Sequence, residues 1–147
     1  MKKFIVACLL LLSQYTHACD EHKEAMCMAK AIYWESRGEH LIGKLAIASV
    51  VNERVKHEKF PNTVCGVVYQ INKVSKKPEF SYNIVRNARI TENGAWEESK
   101  VLAHKIVSGE LVYKLTFTAL YFHSTSVSPN WKNKRLVATL GKNKFYY

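Results

Sequence analysis

Three segments of this chain repeat their apolar residues at helical spacing, and each ends at a stop signal, which restricts the fold more than any other feature. Ala25, Met28, Ala29, Ile32 and Tyr33 form one stripe over about Glu21 to Glu35. Asp20 stands where an N-cap is expected, and Glu21 and Glu24 sit near the positive helix end. Gly38 can supply a left-handed stop in Ser36-Arg37-Gly38-Glu39. A second helix reads from about Leu41 to His57, with Ile42, Leu45, Ser49, Val51 or Asn52, and Val55 inward and Lys44, Glu53 and Lys56 outward. A third runs from about Gly94 to Ser108 on Ala95, Ser99, Leu102, Ala103 and Ile106, and Gly109 ends it. Phe60-Pro61-Asn62 breaks the pattern, and Asn62 or Thr63 caps a short helix that closes near Tyr69.

The remainder has a different character. Gln70 to about Thr91 is polar, contains Pro78 and reads as a long loop. Leu115 to His123 is β-branched and aromatic, so extended structure is expected there. Ser128-Pro129-Asn130 marks a turn, and Leu136 to Leu140 and Lys144 to Tyr147 are short strand-like pieces. The expected fold is α+β, mostly α: one domain with a small, irregular β portion near the C-terminus.

The first 18 residues have the three-part layout of a secretory signal peptide: basic Lys2-Lys3, apolar Phe4 to Leu12, and Thr16-His17-Ala18. The apolar run is shorter than the ~20 residues a membrane span needs. Residues 1–18 are therefore read as a signal cleaved after Ala18, residues 19–147 as the working domain, and the protein as exported to periplasm, wall or medium without stable membrane insertion. A lipidated Cys19 is the lesser alternative. The chain carries +10, and Lys2 and Lys3 supply two of those charges, so the form beginning at Cys19 keeps +8. Such an excess points to a polyanionic partner; export argues against nucleic acid and leaves anionic lipid or an acidic wall. Cys27 with Cys65 is the preferred disulfide, because both fall in helical, core-facing segments, although Cys19 can replace either. No Cys or His spacing suits a metal site, so no metal or cofactor is expected.

Glu35 stands out among the titratable residues. It ends an apolar helix directly after Ile32-Tyr33-Trp34, so its carboxyl is expected to be half-buried beside an aromatic ring. Burial penalises the charged form and raises a carboxyl pKa, which makes a proton donor near neutral pH. The competing reading is a solvated helix-terminal Glu, or one paired with Arg37.

The run Ala29 to Glu39, with its Trp34-Glu35-Ser36-Arg37-Gly38-Glu39 ending, resembles the signature of the spore cortex-lytic enzyme catalytic domain, a family of bacterial cell-wall hydrolases. The resemblance continues through Ala46 to Val55 and is densest at Phe60-Pro61-Asn62-Thr63-Val64-Cys65-Gly66-Val67-Val68-Tyr69-Gln70. It extends to Pro78-Glu79-Phe80-Ser81-Tyr82, Ala119 to His123, Val127 to Trp131, and Gly141 with Phe145-Tyr146. It implies a lysozyme-like fold, cleavage between N-acetylmuramic acid and N-acetylglucosamine, and a catalytic role for Glu35. The chain departs from the family where Glu79 replaces the usual Gln and Asn143 the usual His.

Hydrolysis of a glycosidic bond normally uses two carboxylates, whereas a lytic transglycosylase manages with one. Beyond residue 18 the single Asp is Asp20, so only Glu39 and Glu79 are available as second acids. Glu39 is expected to orient Arg37 or a loop amide. A lytic transglycosylase is therefore favoured over a muramidase. The expected substrate is the peptidoglycan glycan strand, bound by a monomer through Ser36, Glu39, Tyr69, Gln70, Phe80, Ser81, Tyr121, His123 and Trp131, which combine aromatic faces with hydrogen-bonding groups. A wall-binding module without catalysis, a cationic membrane-active protein and a zinc amidase are the rivals. The Glu35-Ser36 pair counts against the first, the absence of a basic amphipathic helix against the second, and the missing His spacing against the third.

Overall fold

The computed structural model describes residues 2–73, 75–80 and 89–147, with side chains from residue 18 onward. Among the described residues, four helices, α1 (Lys2–Ser36), α2 (Leu41–Lys56), α3 (Val64–Val68) and α4 (Asn93–Val107), precede three strands, β1 (Tyr121–Ser124), β2 (Leu136–Leu140) and β3 (Asn143–Tyr146). The fold is α+β and mostly helical. The strands form an antiparallel sheet in the order β1-β3-β2, with a register shift between Leu136 and Ala138.

The α1 stripe is buried as its spacing predicts: Ala25, Met28, Ala29, Ile32 and Tyr33 are all 0% exposed. The helix itself begins far upstream of the expected start, because the run from Lys2 continues into it without a break, so Asp20 lies inside a helix rather than capping one. Gly38 does not adopt a left-handed conformation either. The helix instead closes through a turn in which Arg37 N donates to Tyr33 O and Glu39 N to Ser36 O. Gly109 does take positive φ after α4. Thr63 caps α3, accepting from Gly66 N.

Helix α2 differs most from its sequence pattern. Its outward-facing residues were expected to include Lys44, yet Lys44 is 4% exposed and Ile42 is 50% exposed. The reason is that α2 lies between two apolar clusters and is covered on two sides. Ala48 and Val51 join Met28, Ile32, Val67, Phe80 and Leu102 in the larger cluster. Ala46, Ile47 and Val50 join Ala119 and Phe145 in the smaller one beneath the sheet. The buried Lys44 ammonium is neutralised by Glu98 at 2.7 Å, as a buried charge requires.

The disulfide joins Cys27 to Cys65, tying α1 to α3; Cys19 is free and exposed. Within the loop after α3, Ile71 and Pro78 form a bridge, so its first part is a tight hairpin rather than irregular chain. Of the extended stretch expected from Leu115, only Tyr121 onward is a strand, because β3 offers partners just to Tyr121–Ser124. Among the described residues no helix is long and apolar enough to cross a membrane.

Candidate active site

A cleft of about 690 Å³ runs between the C-terminal end of α1 and the sheet. All four residues of β1 and Asn143 of β3 border it, and alternation along the strands separates the face that packs on the core from the one that carries the polar aromatics. Phe122 pairs with Phe145, which is 0% exposed and faces the core. Tyr121 pairs with Tyr146 and His123 with Lys144, so these four share the opposite face. Tyr121, His123 and Trp131 line the cleft as an aromatic wall. Trp131 meets His123 edge-on at 5.3 Å and Tyr146 at 5.4 Å, while His123 stacks on Tyr146 at 5.2 Å. The His123 ring lies 2.8 Å from the Ser124 carbonyl and 3.0 Å from the Tyr146 hydroxyl. A carbonyl only accepts, so neutral His123 carries its proton on Nδ1 and accepts from Tyr146 at Nε2.

The opposite wall carries four carboxylates, Glu35, Glu39, Glu79 and Glu92. Glu39 accepts from Lys142 N at 3.0 Å and lies against Gly141, where a Cβ would collide with its carboxylate. It therefore fastens the end of α1 to the β2–β3 turn, the loop-amide role expected of it. Glu79 accepts from Asn72 Nδ2 at 2.8 Å. Glu92 pairs with Arg37 Nε at 3.2 Å, so Arg37 is engaged there rather than with Glu35. Among the described residues the Glu35 carboxyl has no hydrogen-bond partner.

Beneath Glu35 and Glu79 lies Arg54, 4% exposed and lining the cleft. Its Nε donates to Leu120 O at 2.7 Å, and its guanidinium sits 5.0 Å from the Phe60 ring and 5.7 Å from those of Phe80 and Tyr121. Burial lowers the Arg54 pKa, and Glu79, Tyr121 and Glu35 oppose that effect. At Glu35 burial raises the carboxyl pKa from 4.5 to about 7, with the Arg54 charge pulling the other way.

Glu35, Ser36, Glu39, Tyr121, His123 and Trp131 thus come together in one cleft. Ser36 is 2% exposed and its hydroxyl donates back to Ile32 O at 2.7 Å, so it serves the helix before any ligand. Tyr69, Gln70 and Phe80 lie outside the cleft lining. Tyr69 accepts from Lys30 Nζ on an exposed surface, and Phe80, 1% exposed, packs in the core where its apolar ring is best accommodated. Ser81 falls outside the described residues. Arg54, Arg37, Glu92, Lys142 and Asn143 line the cleft without having been singled out from the sequence. For Arg54 a signal existed, a lone arginine following Val50 and Val51 on an apolar helix.

The profile of the Cell Wall Hydrolase family matches residues 38–146. The chain belongs to that family. The matched span begins three residues after Glu35. A spore cortex-lytic enzyme of Bacillus cereus is 51% identical over 43 residues, which make up 29% of this chain and 17% of that relative, so most of the relative's length has no counterpart in the match. The catalytic domain of the Bacillus cereus SleB protein superposes with a TM-score of 0.62 at 27% identity, covering 84% of this chain and 89% of that one. The catalytic domain of the germination-specific lytic transglycosylase SleB from Bacillus anthracis gives 0.63 at 28% identity, covering 84% and 93%. Fold and family membership therefore agree with the α+β reading.

Proposed function

We propose that this member of the cell wall hydrolase family is an exported enzyme that cleaves peptidoglycan between N-acetylmuramic acid and N-acetylglucosamine as a lytic transglycosylase, with Glu35 as its catalytic acid and base. One observation carries the reading: of the four carboxylates on the cleft wall, three are bound to protein partners and Glu35 alone is not. Its raised pKa supports a carboxyl that still holds a proton near neutrality. Glu35 gives that proton to the glycosidic oxygen, and the muramic C1–O bond breaks with its electron pair going to the leaving sugar. The carboxylate then takes the proton of the muramic 6-hydroxyl as that oxygen bonds to C1, closing a 1,6-anhydro ring. No second carboxylate or water is consumed. The aromatic wall of Tyr121, His123 and Trp131 suits sugar faces. The Cys27–Cys65 disulfide is consistent with export, since such bonds persist in oxidising compartments.

Glu79 supports a second reading, a muramidase. It shares the cleft and Arg54 with Glu35 and is the available base for a hydrolytic water. Digestion of purified peptidoglycan followed by mass spectrometry separates the two. Anhydromuramyl ends are expected from the unsubstituted protein, with Glu35→Gln slower by about 10²–10⁴-fold. Reducing muramic ends would replace the transglycosylase with the hydrolase, and undiminished cleavage by Glu35→Gln would remove Glu35 from the mechanism.

A further inference from the structure

The charge of this chain is unevenly distributed. All twelve acidic residues precede Leu111, whereas the segment from Leu111 to Tyr147 contains Lys114, Lys132, Lys134, Arg135, Lys142 and Lys144 and no acid. Of the +8 left beyond residue 18, the final segment holds +6. The ion pairs among the described residues use Arg37, Lys44, Lys56, Lys100 and Lys105, and none of the six. Basic side chains on a merely solvated surface have no fixed relation to a site, but three of these do. Lys134 Nζ sits 3.1 Å above the centre of the Tyr121 ring in the aromatic wall. Lys142 lines the cleft, and Lys144 shares a sheet face with His123. Glu35, Glu39, Glu79 and Glu92 line the cleft together with Arg37 and Arg54, which answer part of their charge, whereas Lys142 in the lining and Lys134 over Tyr121 have no ion-pair partner among the described residues.

A glycan backbone of N-acetylated sugars is neutral and has no use for such polarity. The carboxylates of peptidoglycan lie on its peptide stems, which leave the strand through the lactyl ether of each muramic residue. We propose that the sheet wall is a docking surface for the stem-peptide carboxylates and fixes the side from which stems leave the cleft. This rests on the reading of the cleft as a peptidoglycan site. On the helical side four carboxylates outnumber Arg37 and Arg54, so the excess disfavours the same groups, and attraction and repulsion together set one orientation.

The test uses the full chain carrying Glu35→Gln, so that strands stay intact, with and without Lys134→Gln, Lys142→Gln and Lys144→Gln together. Affinities are measured by calorimetry for soluble glycan strands bearing stems, for the same strands after an amidase has removed them, and for teichoic polymer alone. At low salt, stems are expected to tighten binding about tenfold, with the gain fading at several times physiological ionic strength. The triple substitution is expected to erase the gain while the melting temperature stays unchanged. Equal binding with and without stems, or stem preference surviving the triple substitution, overturns the inference. So does a charge-dependent affinity for teichoic polymer that exceeds the affinity for stems. Cleavage of stem-free strands by the unsubstituted protein is followed in parallel. Cleavage without stem preference removes only this inference, and stem preference without cleavage removes only the glycosidase reading.

Discussion

A carboxyl moved from water to the floor of a cleft keeps its proton to higher pH, and at Glu35 this raises the pKa from 4.5 to about 7. The same shift costs stability, and its sign can be worked out. Below pH 4.5 the group is protonated in folded and unfolded chains alike, and no penalty arises. Between 4.5 and 7 the unfolded chain ionises while the folded one resists, so stability falls, and above 7 the loss levels off at about 3 kcal/mol. Glu35→Gln removes the titration. Denaturant unfolding of the two proteins should agree near pH 4 and diverge toward pH 8, with the Gln form more stable there by about 2–3 kcal/mol. A constant difference across that range would mean that Glu35 is not desolvated. The burial of Glu35 is foreshadowed by Ile32-Tyr33-Trp34, but it is the resemblance over Ala29 to Glu39 that singles it out among the glutamates. Arg54 was not singled out, since its place between Phe60, Phe80 and Tyr121 depends on three segments far apart in the chain. Ser36 and Phe80 have site-like chemistry, and only tertiary packing shows one engaged by its helix and the other in the core.

The junction between the end of α1 and the β2–β3 turn borders the cleft and is held by the Glu39 carboxylate. Gly141 holds φ +53 and leaves no room for a Cβ beside the Glu39 carboxylate. Gly141→Ala is expected to displace that carboxylate from Lys142 N and to cost about 1–3 kcal/mol. In a Glu39→Ala background the same change should cost less, since only the backbone strain remains, and a double-mutant cycle measures the difference. Independent, additive effects would show that the two elements are not coupled through this contact. Helices α1 and α4 were legible because each buries a single stripe, for which a 3.6-residue period is a sufficient signal. Helix α2 is found where the sequence places it, but its faces are not those expected at Lys44 and Ile42, since clusters on two sides leave no single apolar stripe to read. The stretch from Leu115 to Leu120 has strand-like composition, but pairing depends on a partner, and β3 is four residues long.

For the whole molecule, the Cys27–Cys65 bond is the covalent tie between the helix that carries Glu35 and the rest of the core. It closes a separation of 38 residues, and loss of such a loop constraint is expected to lower stability by about 3–4 kcal/mol. A Cys27→Ala/Cys65→Ala protein, compared by thermal unfolding, should melt well below the oxidised form. The oxidised form should fall to the same level under reductant. Equal melting temperatures would mean that α1 is held by packing alone. The segregation of charge along the chain is present in the sequence, but the fold alone shows which of the late cations, Lys142 and Lys134, reach the cleft.

The last turn of α1 has a consequence for how this protein can vary. Tyr33 turns inward and its hydroxyl accepts the amides of Thr91 and Glu92, pinning the start of α4. Arg37 lies over the Tyr33 and Trp34 rings and holds Glu92. Ser36 returns to its own helix, and Glu35 faces the cleft. Tyr33 and Arg37 converge on Glu92 at the start of α4, while Ser36 serves its own helix and Glu35 the cleft, so each side chain has a different task. Substitution at these few consecutive positions is therefore expected to disturb the helix end, the start of α4 or the cleft.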